Sequence, residues 1–122
     1  MEIGYFADTY ALIEIIKGNK NYQRFLNKSL FTSIFNLYEL YYSLLRDYNE
    51  IQAKQFFFYF KKNLIKYSDN SIFLASKFKL DKHKRGISYT DALGYSIASE
   101  NNLKFLTGDK EFKGLNNVEF VK

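Results

Sequence analysis

Residues 88–121 read SYTDALGYSIASENNLKFLTGDKEFKGLNNVEFV. A helical pattern runs over 88–100, opened by Ser88-Tyr89-Thr90-Asp91, which fits a capping box with Asp91 at its third helical position. Two short apolar runs follow, KFLT at 104–107 and VEFV at 118–121, and both read as strands. The same alternation recurs upstream. Residues 3–7 form a first strand, and TYALIEIIK at 9–17 is a helix that stops at Gly18. Residues 30–34 (LFTSI) suit a second strand, followed by a helix over 36–48 with Asn36-Leu37-Tyr38-Glu39 as its capping frame. Residues 50–63 are read as helix despite the strand-like run Phe56-Phe57-Phe58-Tyr59-Phe60. Five successive aromatics wrap more than one helical face, so burial on two sides is expected, against the sheet and against a partner. LIKY at 64–67 is a candidate further strand, and 71–80 is another helix. Alternating strands and helices predict right-handed βαβ units. The expected fold class is therefore α/β: a three-layer sandwich whose central, mostly parallel sheet of four or five strands is flanked by helices.

The chain has 122 residues, a length that suits one domain spanning 1–122 and burying about two-thirds of its unfolded surface. It contains no cysteine, which excludes a disulfide framework, a thiolate zinc site, an iron–sulfur cluster and a cysteine nucleophile. A single histidine, His83, excludes a multi-histidine metal site. Lys+Arg number 18 against 13 Asp+Glu, a net charge of +5 that favours polyanions, nucleic acid among them. The start of the chain lacks the pattern of a signal peptide, and no stretch approaches the ~18 apolar residues of a membrane span. The expected location is the cytoplasm, away from any membrane.

In a parallel sheet, ligands bind at the carboxyl ends of the strands, near the point where strand order reverses. Four acids fall there. Asp8 follows the first strand, Asp109 follows KFLT, Asp91 opens the helix that feeds KFLT, and Glu39 lies at the start of the helix after the second strand. Each also has a plain structural reading: Asp8 as an N-cap, Asp91 and Glu39 as capping-box acids, Asp109 as a turn residue. Together the four repel, at on the order of 3 kcal/mol for one pair ~5 Å apart at an effective dielectric near 20. Such a cluster needs a cation or an arginine, and hard divalent ions with oxygen ligands suit it.

At this point the chain resembles the PIN-domain family, and within it the small VapC-type toxins of toxin–antitoxin systems. The resemblance rests on FADTYALIEIIKG, on Glu39 in FNLYELYYSLL, and above all on residues 88–121. It implies an acidic quartet of Asp8, Glu39, Asp91 and Asp109, both catalytic and metal-binding, supported by the hydroxyls of Thr9 and Thr107. It implies a Mg²⁺- or Mn²⁺-dependent endoribonuclease acting on RNA, held inactive by a cognate antitoxin and paired as a homodimer. Lys82, Lys84, Arg85, Lys104 and Lys110 are candidates for phosphate contacts. Residues 56–60 with Tyr38, Tyr41 and Tyr42 are candidates for protein interfaces, with core as the plain reading, first of all for Phe57 and Phe60. Glu111 is read as a solvated turn residue, with an acid lying just outside the quartet as the alternative. The alternative is a non-catalytic PIN-like module that binds RNA or a partner without cutting.

Other chemistries are poorly supplied. Ser88, Ser96 and Ser99 lack a histidine partner, and His83 stands alone in a basic loop. Neither GxxxxGK[ST] nor GxGxxG occurs. A phosphatase of the dehalogenase type needs a second aspartate where Tyr10 stands.

Overall fold

A computed structural model describes residues 2–122. The elements run β1 (Tyr5–Ala7), α1 (Thr9–Ile16), a 3₁₀ segment (Lys20–Phe25), β2 (Leu30–Phe31), α2 (Ile34–Asp47), α3 (Glu50–Lys61) and α4 (Asp69–Asp81). A 3₁₀ turn (His83–Arg85), α5 (Tyr89–Glu100), β3 (Lys104–Thr107), a 3₁₀ turn (Lys110–Phe112) and β4 (Val118–Phe120) complete the chain. The four strands form one sheet in the order β2-β1-β3-β4, and every pairing is parallel. The α/β sandwich expected from the sequence is the fold observed.

Period-two alternation assigns the two sheet faces. Ala7 and Leu106 point to one side, into a core with Leu12, Tyr22, Phe25, Leu37, Leu40 and Phe60 from α1, the first 3₁₀ segment, α2 and α3. Phe6 and Phe105 point to the other, packing with Ala75, Ala92, Ile97 and Phe112 from α4, α5 and the last 3₁₀ turn. Gly94 lets α5 lie close on this second face: a Cβ there would sit 2.7 Å from the Phe6 ring. The aromatic run does prove helical, capped by Asn49, whose side chain accepts the Gln52 N–H.

Three sequence expectations are corrected. LIKY adds no fifth strand; Leu64 makes one isolated parallel bridge to Thr32. The second strand stops at Phe31, because Ser33 adopts extended φ/ψ and its hydroxyl caps α2 by accepting the Asn36 N–H. Asn36 is therefore the third helical residue instead of the cap, and Glu39 moves into the second turn. The 3₁₀ segment at Lys20–Phe25 had no counterpart in the sequence reading, since apolar periodicity of 3.6 does not register a threefold turn.

With this order, β1 connects to β2 on one side and the chain then crosses to β3 on the other. Strand order thus reverses between β1 and β3, which are neighbours. A crevice beyond their carboxyl ends is where the fold collects ligand-binding side chains.

Candidate active site

Asp8 leaves β1 at that point and is 1% exposed. Its Oδ1 caps α1 by accepting the Ala11 N–H at 2.8 Å. Its Oδ2 accepts from the Thr107 hydroxyl at 2.5 Å. Thr107 ends β3, and its Oγ1 also accepts the Asp109 N–H at 3.0 Å. One hydroxyl therefore ties the acid after β1 to the acid after β3. Asp109 Oδ1 in turn accepts the Glu111 N–H, which fixes the turn below it. Gly108 makes the geometry possible: a Cβ there would collide with the Tyr10 ring and the Val121 carbonyl.

Asp91 sits in the first turn of α5, its N–H donating to the Ser88 hydroxyl at 3.1 Å. Glu39 reaches in from α2. Its Oε1 accepts from Thr9 Oγ1 at 2.7 Å, and that same Oγ1 accepts from Asn36 Nδ2 at 3.1 Å. Asn36 is fully buried, its Oδ1 held by the Ser33 hydroxyl at 2.7 Å. The order Ser33–Asn36–Thr9–Glu39 is thus a continuous hydrogen-bonded brace from the cap of α2 to the acid on its surface.

The carboxylates share one electrostatic field. Burial pushes the Asp8 carboxyl up from 3.8 to about 8, opposed by the bonds from Thr107 and Ala11 and reinforced by the charges of Asp91 and Asp109. Burial likewise raises Asp91 to about 6, with the Asp109 and Glu39 charges adding to it. Among the described residues no lysine or arginine forms an ion pair with any of the four. A chain of net charge +5 therefore keeps four carboxyl groups without a cationic partner at the switch point of its sheet.

The sequence profile of the PIN domain matches residues 5–117. The chain belongs to the PIN-domain family. Solved PIN-like structures superpose over nearly its whole length. One is Mycobacterium tuberculosis VapC20, described as a sarcin–ricin loop cleaving toxin, at 16% identity and a TM-score of 0.78, covering 96% of each chain. Another is VapBC2 from Rickettsia felis bound to a promoter DNA fragment, at 22% identity and a TM-score of 0.75, covering 98% of each chain. A third is a toxin–antitoxin complex from Klebsiella pneumoniae, at 18% identity and a TM-score of 0.76, covering 94% of this chain and 95% of that one. No curated protein matches this PIN domain by sequence.

The donor chemistry of this PIN domain fits a hard divalent cation. Every side chain converging on the crevice offers oxygen, and the raised carboxyls of Asp8 and Asp91 would be relieved by positive charge. Among the described residues no three acids are drawn together as a ready-made cage.

The basic candidates separate. Lys110 is exposed, directly after Asp109, and Lys84 is exposed on the neighbouring 3₁₀ turn. Arg85 donates from Nη1 to the carbonyls of Glu111 and Lys113, so it braces that turn against the loop carrying Asp109. Lys82 is half-buried at the end of α4. Lys104 opens β3 and so lies at the amino end of the sheet, opposite the acids. Asn36 was missed as a site residue because its partner Thr9 is 27 positions away. The pairing of Thr32-Ser33 with the apolar period at Leu37, Leu40 and Leu44 was the signal that could have exposed it.

Proposed function

We propose that this PIN domain is a divalent-metal-dependent endoribonuclease, the toxin of a VapBC-type pair. The observation that carries the reading is the set of electrostatically coupled acids Asp8, Asp91, Asp109 and Glu39 at the switch point, with no cationic partner among the described residues, in an otherwise basic chain. The likeness to VapC20 and to toxin–antitoxin complexes supports it. Hydrolysis of a phosphodiester needs an activated water, neutralised phosphate charge and a stabilised leaving oxygen. A divalent cation supplies the charge neutralisation and a more acidic water. Asp8, Asp91 and Asp109 would hold it directly or through water. Thr107 fixes Asp8 relative to Asp109, so the two acids cannot drift apart without breaking its two bonds. Glu39 has Oε1 engaged by Thr9, which leaves Oε2 to accept the proton of the attacking water. Lys110 and Lys84 face solvent on adjacent loops and neutralise phosphates flanking the scissile bond.

The same reading assigns a protein partner, a cognate antitoxin, and a homodimer. It rests on α3, where Phe58 and Tyr59 are 58% and 60% exposed while Phe60 is buried and Phe57 half-buried. The two lie on different sides of the helix, Phe58 beside Tyr41 and Phe57, and Tyr59 beside Ile15, Ile16 and Leu26, so α3 offers two apolar surfaces for protein partners. Among the described residues no helix is long and apolar enough to cross a membrane. A cytoplasmic location goes with this reading.

The test is cleavage of a mixed structured-RNA pool with Mg²⁺ or Mn²⁺, beside an EDTA lane and the Asp91→Asn variant. Cutting that disappears in both controls is the expected result. RNA binding without cutting in any lane would replace the nuclease with the non-catalytic alternative.

A further inference from the structure

The three tyrosines of α2 do not behave alike. Tyr41 packs edge-on against Phe57, with ring centroids 5.8 Å apart, and belongs to the α2–α3 contact. Tyr38 and Tyr42 are 77% and 65% exposed, and among the described residues neither has an aromatic neighbour. They stand one turn apart, so they share a helix face. With Thr9, Glu39, Ser43 and Arg46 they line a cavity of about 430 Å³, a size at which nucleotide-like ligands are bound. Thr9 and Glu39 belong equally to the carboxylate site, so this cavity adjoins it.

We propose that Tyr38 and Tyr42 form a nucleobase-stacking subsite, through which RNA enters the carboxylate site with its bases unpaired. The proposal rests on the ribonuclease reading above and names the form of the substrate. An aromatic face recognises any base, because every base has a π surface. Four residues of helix separate the two tyrosines by about 6 Å along the axis. A base stacked on both sides needs roughly 7 Å, at about 3.4 Å per stack. Arg46 also lines the cavity, and its guanidinium is held in one plane by two bonds to Asp47, at 2.9 and 3.1 Å. A planar guanidinium is itself a stacking surface for a base. The cavity wall carries one carboxylate, Glu39, and one guanidinium, Arg46, so a neutral base lies against it without net repulsion. A duplex cannot use the tyrosines, since its bases are already stacked and paired.

The experiment measures equilibrium binding of a labelled single-stranded oligoribonucleotide of about twelve nucleotides in EDTA, where hydrolysis is stopped, against the same sequence as a duplex. Tyr38→Ala and Tyr42→Ala should each weaken single-strand binding roughly five- to a hundredfold. Tyr38→Phe and Tyr42→Phe should restore it, because the ring stacks and the hydroxyl does not. Both positions are solvent-facing and alanine is the best helix former, so the variants fold. Alanine variants that bind like wild type overturn the proposal, as do phenylalanine variants that fall equally far, or a duplex bound as tightly as the single strand. No measurable RNA binding by the wild type overturns it too. Alanine variants with normal RNA affinity that lose a purified protein partner would assign the face to that protein instead. Cleavage with Mg²⁺ is scored separately. Tyrosine-dependent binding without cutting keeps the subsite and ends the ribonuclease reading, while cutting with unchanged KM in the alanine variants does the reverse.

Discussion

Replacing Asp8 with asparagine sets two opposing effects against each other, and pH decides which wins. In the folded protein the carboxyl is raised from 3.8 to about 8, chiefly by burial. Below about pH 4 both folded and unfolded chains carry the proton, and Asp8 costs nothing. Between about pH 4 and pH 8 the unfolded carboxyl ionises freely while the folded one retains its proton. The folded state then binds more protons, so stability falls as pH rises through that window. At ~1.4 kcal/mol per pH unit, the penalty is about 2 kcal/mol at pH 5 and on the order of 5 kcal/mol near pH 8. Asparagine removes it entirely.

The same substitution has a cost. The asparagine carbonyl can still cap Ala11, but the Thr107 hydroxyl loses its acceptor, Asp8 Oδ2, and is left with an amide donor instead. A buried group so deprived loses about 1–3 kcal/mol. Without metal, Asp8→Asn should therefore melt close to wild type at pH 5 and about 10 °C higher at pH 8, taking roughly 4 °C per kcal/mol for a chain of this size. Saturating Mg²⁺ should raise only the wild type, by about 3 kcal/mol at a hundredfold excess over its Kd, and so narrow the gap. The assay is thermal melting by circular dichroism at both pH values, in EDTA and in Mg²⁺. A variant that melts lower than wild type by the same margin at pH 5 and pH 8 would refute the reasoning, because it would make Asp8 a helix cap and nothing more.

Three further outcomes follow from the same geometry. Thr107→Val keeps the shape but removes the donor that lowers the Asp8 carboxyl, so the rising limb of the pH–rate profile should move to higher pH, with about 1–3 kcal/mol lost in urea unfolding. Asn36→Ala releases Thr9 and with it Glu39; kcat should fall roughly 10- to 100-fold, the range typical for loss of a supporting partner, while the KM for RNA changes little. Lys110→Ala should weaken RNA binding and reduce the slope of log affinity against log salt by about one, whereas Lys104→Ala, at the far end of the sheet, should leave both unchanged.

The fold and the position of the four acids at one end of the sheet were legible because they depend on local signals: apolar periodicity places the elements, and a parallel sheet has only one end at which its following loops gather. Asp8 shows what such signals leave open. Its cap reading and its site reading compete in sequence, yet the structure uses one oxygen for each, Oδ1 for Ala11 and Oδ2 for Thr107. Thr107 lies 99 residues away, and no spacing rule reaches that far. Asn36 was misread for the complementary reason. It has the chemistry of a cap, but Ser33, three residues earlier, takes the extended backbone and the N–H, which frees the amide to reach Thr9. The strand LIKY failed because a single bridge to Thr32 is all that the chain extends alongside before α4 begins. Lys104 is different, because its position could have been settled from the sequence alone. The first residue of a strand in a parallel sheet lies a full strand length from the loops that follow, so a basic residue opening KFLT cannot meet a phosphate held by the acid that follows it. Direction along the strand, as much as residue type, selects which charges can serve the site.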